Sequence, residues 1–413
     1  TLFHLVYLRE SNKIYKKRWI IMSKNKVDHY PVMLSAAMLF AIAVMPGAVA
    51  PGIVGAAADS MGLGETQLGL LIGLYFAGFG IVSATSYLWI RKVNWRVYSS
   101  IGVIMMGFSW ILAGMIEGYP TLLFLMFVVG IGAGLFASPS ITFLGDGTEA
   151  ENGFSWMIIF SVAGAAALLA LFPIVTEISG FRGVTNLLGG STLATLLLIP
   201  LIPVNNEKEE KSNESDTVKF EKFSFFNDRM TQPILSLLVM VLFSFSFAGS
   251  WAFFERIASY AALPATETGQ ALAIGTLFGT IGAPLAAFLM KRIPMYYCYG
   301  ITILSTVVTL YFLNSSSLTS IIYLLLVCSF QFWINAGFCL MMAQTAEVDK
   351  IGRFVALIPA AQAFGGAPGE IINGVILERY GLNEMLILTM LVFILGAIVF
   401  AYVDRKDLIT ARQ

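Results

Sequence analysis

The chain has 413 residues, 57% of them hydrophobic and only 12% charged, with 25 Lys and Arg balanced by 25 Asp and Glu. Soluble domains carry about 25% charged residues, so this composition and a mean hydropathy of +0.79 call for a lipid surrounding, not water. Zero net charge leaves no basic footprint for nucleic acid. Three cysteines (Cys298, Cys328, Cys339) and two histidines ahead of the first apolar run (His4, His29) make neither a disulfide framework nor a metal site, and no cofactor is expected.

Residues 1–29 read as a cytoplasmic arm. The stretch TLFHLVYLRESNKIYKKRWII is neither a spanning run nor a cleavable signal. Met22, followed by SKNKVDHYP, has the character of a natural start, so 1–21 are expected to be an extension or a disordered arm. A spanning helix takes about 20 apolar residues, because the hydrocarbon layer is about 30 Å thick. Charge-free runs of that length fill 31–58, 66–90, 97–116, 118–145, 152–176 and 183–206. Pro46 and Pro51 predict a bend in the first of them. The polar stretch 205–229 has the composition of a solvated linker. Beyond it lie 230–254, 268–290, and the run 293–346, which NSSSLTS at 314–320 divides in two. The runs 354–377, interrupted only by Glu370, and 385–403 complete the set. The pattern predicts an all-α membrane protein of twelve transmembrane helices in two pseudo-symmetric six-helix bundles, 30–204 and 230–404, with the linker at 205–229 and a cytoplasmic tail at 405–413.

With both termini inside, the outer loops keep only Arg182, Arg256 and Arg379 of the 25 Lys and Arg. That bias is the positive-inside rule, so a multi-pass inner-membrane protein with cytoplasmic termini is expected. An offset of about 200 residues superposes the halves. GLLIGLYFAGFG from Gly69 falls on GQALAIGTLFGT from Gly269, Phe154 falls on Phe354, and Gly180 lies opposite Gly381.

Twelve spans divided six and six, a central linker and a basic loop after span two (YLWIRKVNWR) resemble the major facilitator superfamily. The resemblance covers roughly residues 30–405 and implies a transporter whose spans one, four, seven and ten surround a central cavity. Span four has the family's glycine series in Gly130, Gly132 and Gly134, but Met126 stands where the family's proton-linked Arg would be. The span-five glycine–proline motif of drug antiporters is absent from SVAGAAALLALFP. Arg91, Lys92 and Arg96 are read as the gating loop.

Charges within a bilayer are costly, about 2.5–3.5 kcal/mol on insertion scales, and mark function. Glu370 interrupts span eleven and is the candidate proton-coupling group; the alternative is a carboxyl near the outer third of the span that reaches interfacial water. Gln362 and Asn373, read as substrate-binding, share its polar stripe at helical spacing, beside Pro368. Trp251 on span seven, with Glu255 and Arg256 at its end, reads as a stacking platform with an outer gate or substrate clamp, or as an ordinary interfacial cluster. Gln331 and Asn335 of span ten read as substrate hydrogen-bonders or as helix–helix glue. Asp59 and Asp146 read as loop anchors. The cavity is expected to be apolar and aromatic, suited to a small amphipathic solute. No Walker-type loop, nucleophile–base set or metal spacing appears, so an enzyme is not expected. The function read from the sequence is secondary transport of a small organic solute by a monomer in the lipid bilayer; the rival is a non-transporting receptor or assembly partner.

Overall fold

A computed structural model describes residues 30–116, 118–147, 150–202, 228–315, 317–349 and 354–410. The arm 1–29, the linker up to residue 227 and residues 411–413 lie outside the described residues. Among the described residues the secondary structure is entirely helical. In chain order the helices are α1 (Tyr30–Ala48), α2 (Ala50–Met61), α3 (Glu65–Trp89), α4 (Trp95–Ala113), α5 (Tyr119–Asp146) and α6 (Ala150–Ala194), followed by a 3-10 segment, Thr195–Leu201. The second set is α7 (Asp228–Trp251), α8 (Phe254–Tyr260), α9 (Ala265–Gly279), α10 (Gly282–Leu289), α11 (Met295–Leu313), α12 (Ser320–Val348), α13 (Ile358–Tyr380) and α14 (Leu382–Thr410). All-helical architecture is what lipid demands, because each backbone group then finds its partner within its own segment.

These helices make twelve crossings. α1 with α2 form span one, α7 with α8 span seven, and α9 with α10 span eight. The long α6 supplies two spans, because Gly180 breaks it at φ 58°, ψ −157°. Its first limb runs alongside span one, with Gly153 facing Met33 and Phe172 facing Gly52. Its second limb runs against α4, with Gly114 facing Arg182 and Gly107 facing Leu193. The chain therefore reverses at Gly180. Gly381, its repeat counterpart, also has positive φ, 103°, and separates α13 from α14. An L residue at either turn would be strained, whereas glycine is not. α14 continues to Thr410, so the segment expected to be a tail from 405 begins as helix.

Missing Cβ atoms set the helix spacing. A Cβ on Gly130 would lie 2.1 Å from the Tyr75 carbonyl oxygen, and one on Gly78 2.4 Å from that of Phe127, so spans two and four meet backbone to backbone. The two sets of six spans join by the same device used twice. Gly69 of span two abuts the Glu370 carbonyl of span eleven, and Gly269 of span eight abuts the Leu169 carbonyl and Pro173 of span five. With no hydrophobic drive between helices in lipid, such close approach supplies the dispersion that holds them.

Capping is local and follows the sequence. Asn94 accepts from the Arg96 and Val97 amides at the start of α4, and Thr319 accepts from Ile322 at the start of α12. On the basic face, Arg91 makes a two-pronged pair with Asp146 at 2.5 and 2.9 Å, tying the end of span two to that of span four. Arg96 Nε donates to the Ile202 carbonyl at the end of span six. Lys92 is exposed. Of the three, Arg91 and Arg96 thus brace ends of the first six spans.

Candidate functional site

Span one bends where its prolines predict. Val49 separates α1 from α2 at φ −105°, ψ 17°. The Gly52 amide bonds to the Val49 carbonyl, so the Ala48 carbonyl is left out of the helical ladder. Span seven breaks at the corresponding depth, with Phe253 at φ −98°, ψ 6°, about 200 residues further on. Trp251, just before that second break, donates its indole N–H to the Ala48 carbonyl at 3.1 Å. The repeat-related breaks meet across the two halves through this one bond.

Trp251 heads a column of rings. It stacks on Phe247 and Phe330, with centroids 6.5 and 6.3 Å apart, and touches Phe254. The column continues through Phe338, 5.5 Å from Phe247, to Phe243 at 4.9 Å from Phe338. Phe243, Phe254 and Phe330 are fully buried, while Phe247 and Phe338 keep partial exposure. Gly366 of span eleven, in turn, faces both Phe76 of span two and Ala248 of span seven. Glu370, one turn further along α13, therefore projects into the seam where spans two, seven and eleven meet. It is 1% exposed, and its Oε2 has no hydrogen-bond partner.

The remaining sequence candidates separate. Asn373 is fully buried against Gly249 of span seven and accepts from Thr389 of span twelve, inside the second set of spans. Gln362 is half-buried near the start of α13. Gln331 and Asn335 face Gly279 of span eight, and Asn335 donates to the Gln331 carbonyl. This geometry is that of a helix contact within one half. The stripe Gln362–Glu370–Asn373 thus divides between a seam and a bundle core.

Toward the face opposite the basic loops, polar links between the halves accumulate. Arg256 Nε donates to Glu65 at 3.0 Å and its guanidinium lies 3.8 Å from Asp59. Tyr260 donates to the same Glu65 oxygen at 2.5 Å. The Thr66 amide donates to Glu378 at 2.7 Å. Glu65, Tyr260 and Glu378 did not stand out in the sequence, because the partners are 191 to 312 residues apart. Phe247 and Phe330 were also missed, although Phe243, Phe247, Trp251 and Phe254 follow the 4-4-3 spacing of one helix face.

The sequence matches the Major Facilitator Superfamily over residues 32–370. The chain belongs to that family. Members of this superfamily are transporters rather than enzymes, and the chain is a multi-pass membrane protein. No curated protein matches it. Among solved structures, it is similar to the nucleoside transporter NupG, at 12% identity, with 91% of this chain and 99% of that one covered and a TM-score of 0.71. It is also similar to a D-xylose–proton symporter (12% identity, 89% and 96% covered, TM-score 0.73). A third is a bacterial homologue of the human lysosomal transporter Spinster, in an inward-facing, unoccupied conformation (14% identity, 91% and 97% covered, TM-score 0.70). At such identities these similarities establish the twelve-helix, two-half fold and nothing finer.

Proposed function

We propose that this superfamily member is a secondary transporter that moves a small organic solute across the inner membrane by alternating access. Its basic face and both termini lie in the cytoplasm, and a single chain suffices because the whole seam is built within it. The observation that carries this reading is the placing of the links between halves. From the Trp251–Ala48 bond outward, Arg256–Glu65, Tyr260–Glu65 and Thr66–Glu378 all fasten the end away from the basic loops. A transporter closed at one end by breakable polar bonds, around a bent pair of helices, is one arm of a rocking cycle. Phe247, Phe338 and Phe76 offer the solute an apolar, aromatic surface, and Glu370 binds the coupling proton.

Purified protein in proteoliposomes tests this reading with a solute panel. Saturable, solute-specific flux is expected. Glu370→Gln should abolish accumulation driven by a pH gradient while sparing solute exchange; unchanged accumulation removes Glu370 from the mechanism. Binding without flux, with a stable partner on co-purification, would replace transport by a receptor role.

A further inference from the structure

A cavity lies at the end fastened by the polar links between the halves, away from Glu370. It has a volume of about 350 Å³ and is walled by spans one and five from the first half and by spans seven and eight from the second. That volume falls within the range of small-ligand sites, about 300–1,000 Å³. Two glycines one turn apart on α2 shape it. A Cβ on Gly52 would come within 2.3 Å of the Phe172 ring, and one on Gly55 within 2.5 Å of the Glu255 carboxyl carbon. The ring and the carboxylate occupy the space that larger residues would fill.

The charge of the lining is one-sided. Asp59, Glu177 and Glu255 are its charged side chains, and among the described residues no Lys, Arg or His lines it. Arg256, adjacent in sequence, pairs with Glu65 and lies 3.8 Å from Asp59, so it offsets that one carboxylate of the lining and, among the described residues, leaves Glu177 and Glu255 without a salt bridge. Glu255 packs its Oε2 against Gly55 without a hydrogen-bond partner, while the remainder of this half-buried side chain lines the cavity. A carboxylate taken from water without a partner is costly, and a cation offsets that cost. The other walls, Leu169, Phe172 and Leu272 among them, are apolar, and an aromatic ring adds attraction for an ammonium group.

We infer that this outer cavity binds a small organic monocation, an amine or quaternary ammonium, with its charge against Glu255 and its apolar body on Phe172 and Leu272. A phosphate or carboxylate solute is repelled by the same lining. Because the walls come from both halves, such a ligand bridges them at the closed end. This binding does not depend on the transport reading.

The test is equilibrium binding to protein in nanodiscs, using three probes with a common skeleton: 2-phenylethylammonium, 2-phenylethanol and phenylacetate. The cation should bind saturably and at least tenfold more tightly than the alcohol, and phenylacetate should not bind. Glu255→Gln should remove the cation preference, whereas Glu370→Gln, in the seam, should keep it. Equal affinity for cation and alcohol, absent cation binding, or a preference that survives Glu255→Gln overturns the proposal. The charge series on the unaltered protein decides the matter even should Glu255→Gln fail to fold. Cation binding without flux would leave this site standing and remove the transporter; flux without cation preference would do the reverse.

Discussion

The Trp251 indole donates to the Ala48 carbonyl, and in doing so joins the breaks of two repeat-related spans. Ala48 accepts there because the bend around Val49 has diverted its helical donor, Gly52. Trp251→Phe keeps the ring stack and deletes the donor. A net hydrogen bond contributes about 1 kcal/mol, and a stranded buried carbonyl costs about 1–3. The variant should therefore melt earlier in nanodiscs and release the closed end, read as faster thiol labelling of a cysteine at Ala56. Unchanged melting and labelling would mean that this bond does not hold the end shut.

Arg256→Gln strands Glu65, which is only 8% exposed, with Tyr260 as its remaining side-chain partner. Removing one member of a buried pair costs roughly 3–5 kcal/mol. Here the loss should be about 2–4, since the Arg256 side chain keeps 16% exposure. Adding Glu65→Gln should recover part of it, because the unpaired charge is then gone. A double-mutant cycle on melting temperature measures the coupling; strictly additive effects would show that the pair is not energetically linked.

The helix count, the bend in span one and the two turn glycines were legible in the sequence, because lipid forces long apolar runs and because Pro and positive-φ Gly leave marks in sequence. Glu370 was legible for the same reason: a charge in such a run stands out. The division of the polar stripe was not. Gln362, Glu370 and Asn373 share helical spacing, yet the neighbours that separate them, Phe76 and Thr389, come from other spans. Gln331 and Asn335 likewise turn to Gly279, a partner whose significance lies in the side chain it lacks. The polar links at the outer end, between residues 191 to 312 positions apart, have no local signature at all.

Two glycines distinguish packing from mere flexibility. Gly130→Ala places a methyl 2.1 Å from the Tyr75 carbonyl oxygen, where only a backbone shift relieves it, while Gly190→Ala meets nothing within 4 Å. Overpacking costs about 1–3 kcal/mol, and Gly→Ala in an open helical site gains about 0.5–1. Gly130→Ala should lower the melting temperature and Gly190→Ala should hold or raise it. Equal behaviour would refute the close packing of spans two and four.

The aromatic column separates stability from recognition. Phe330 is fully buried and touches Trp251, Phe247 and Phe254, so Phe330→Ala opens a cavity, at about 3–5 kcal/mol. Phe247 and Phe338 keep partial exposure, and their free faces are surface available to a solute. Phe247→Leu preserves much of the apolar volume but removes the flat ring face. It should raise the KM for transport severalfold, with kcat and melting temperature little changed, because the interaction lost is made with the bound solute. Phe330→Ala should instead lower melting temperature and active fraction together, with KM of the surviving protein near its original value. If both variants shift KM alone, the column is a binding surface throughout; if both shift melting alone, the solute lies elsewhere and the exposed faces of Phe247 and Phe338 meet lipid or water.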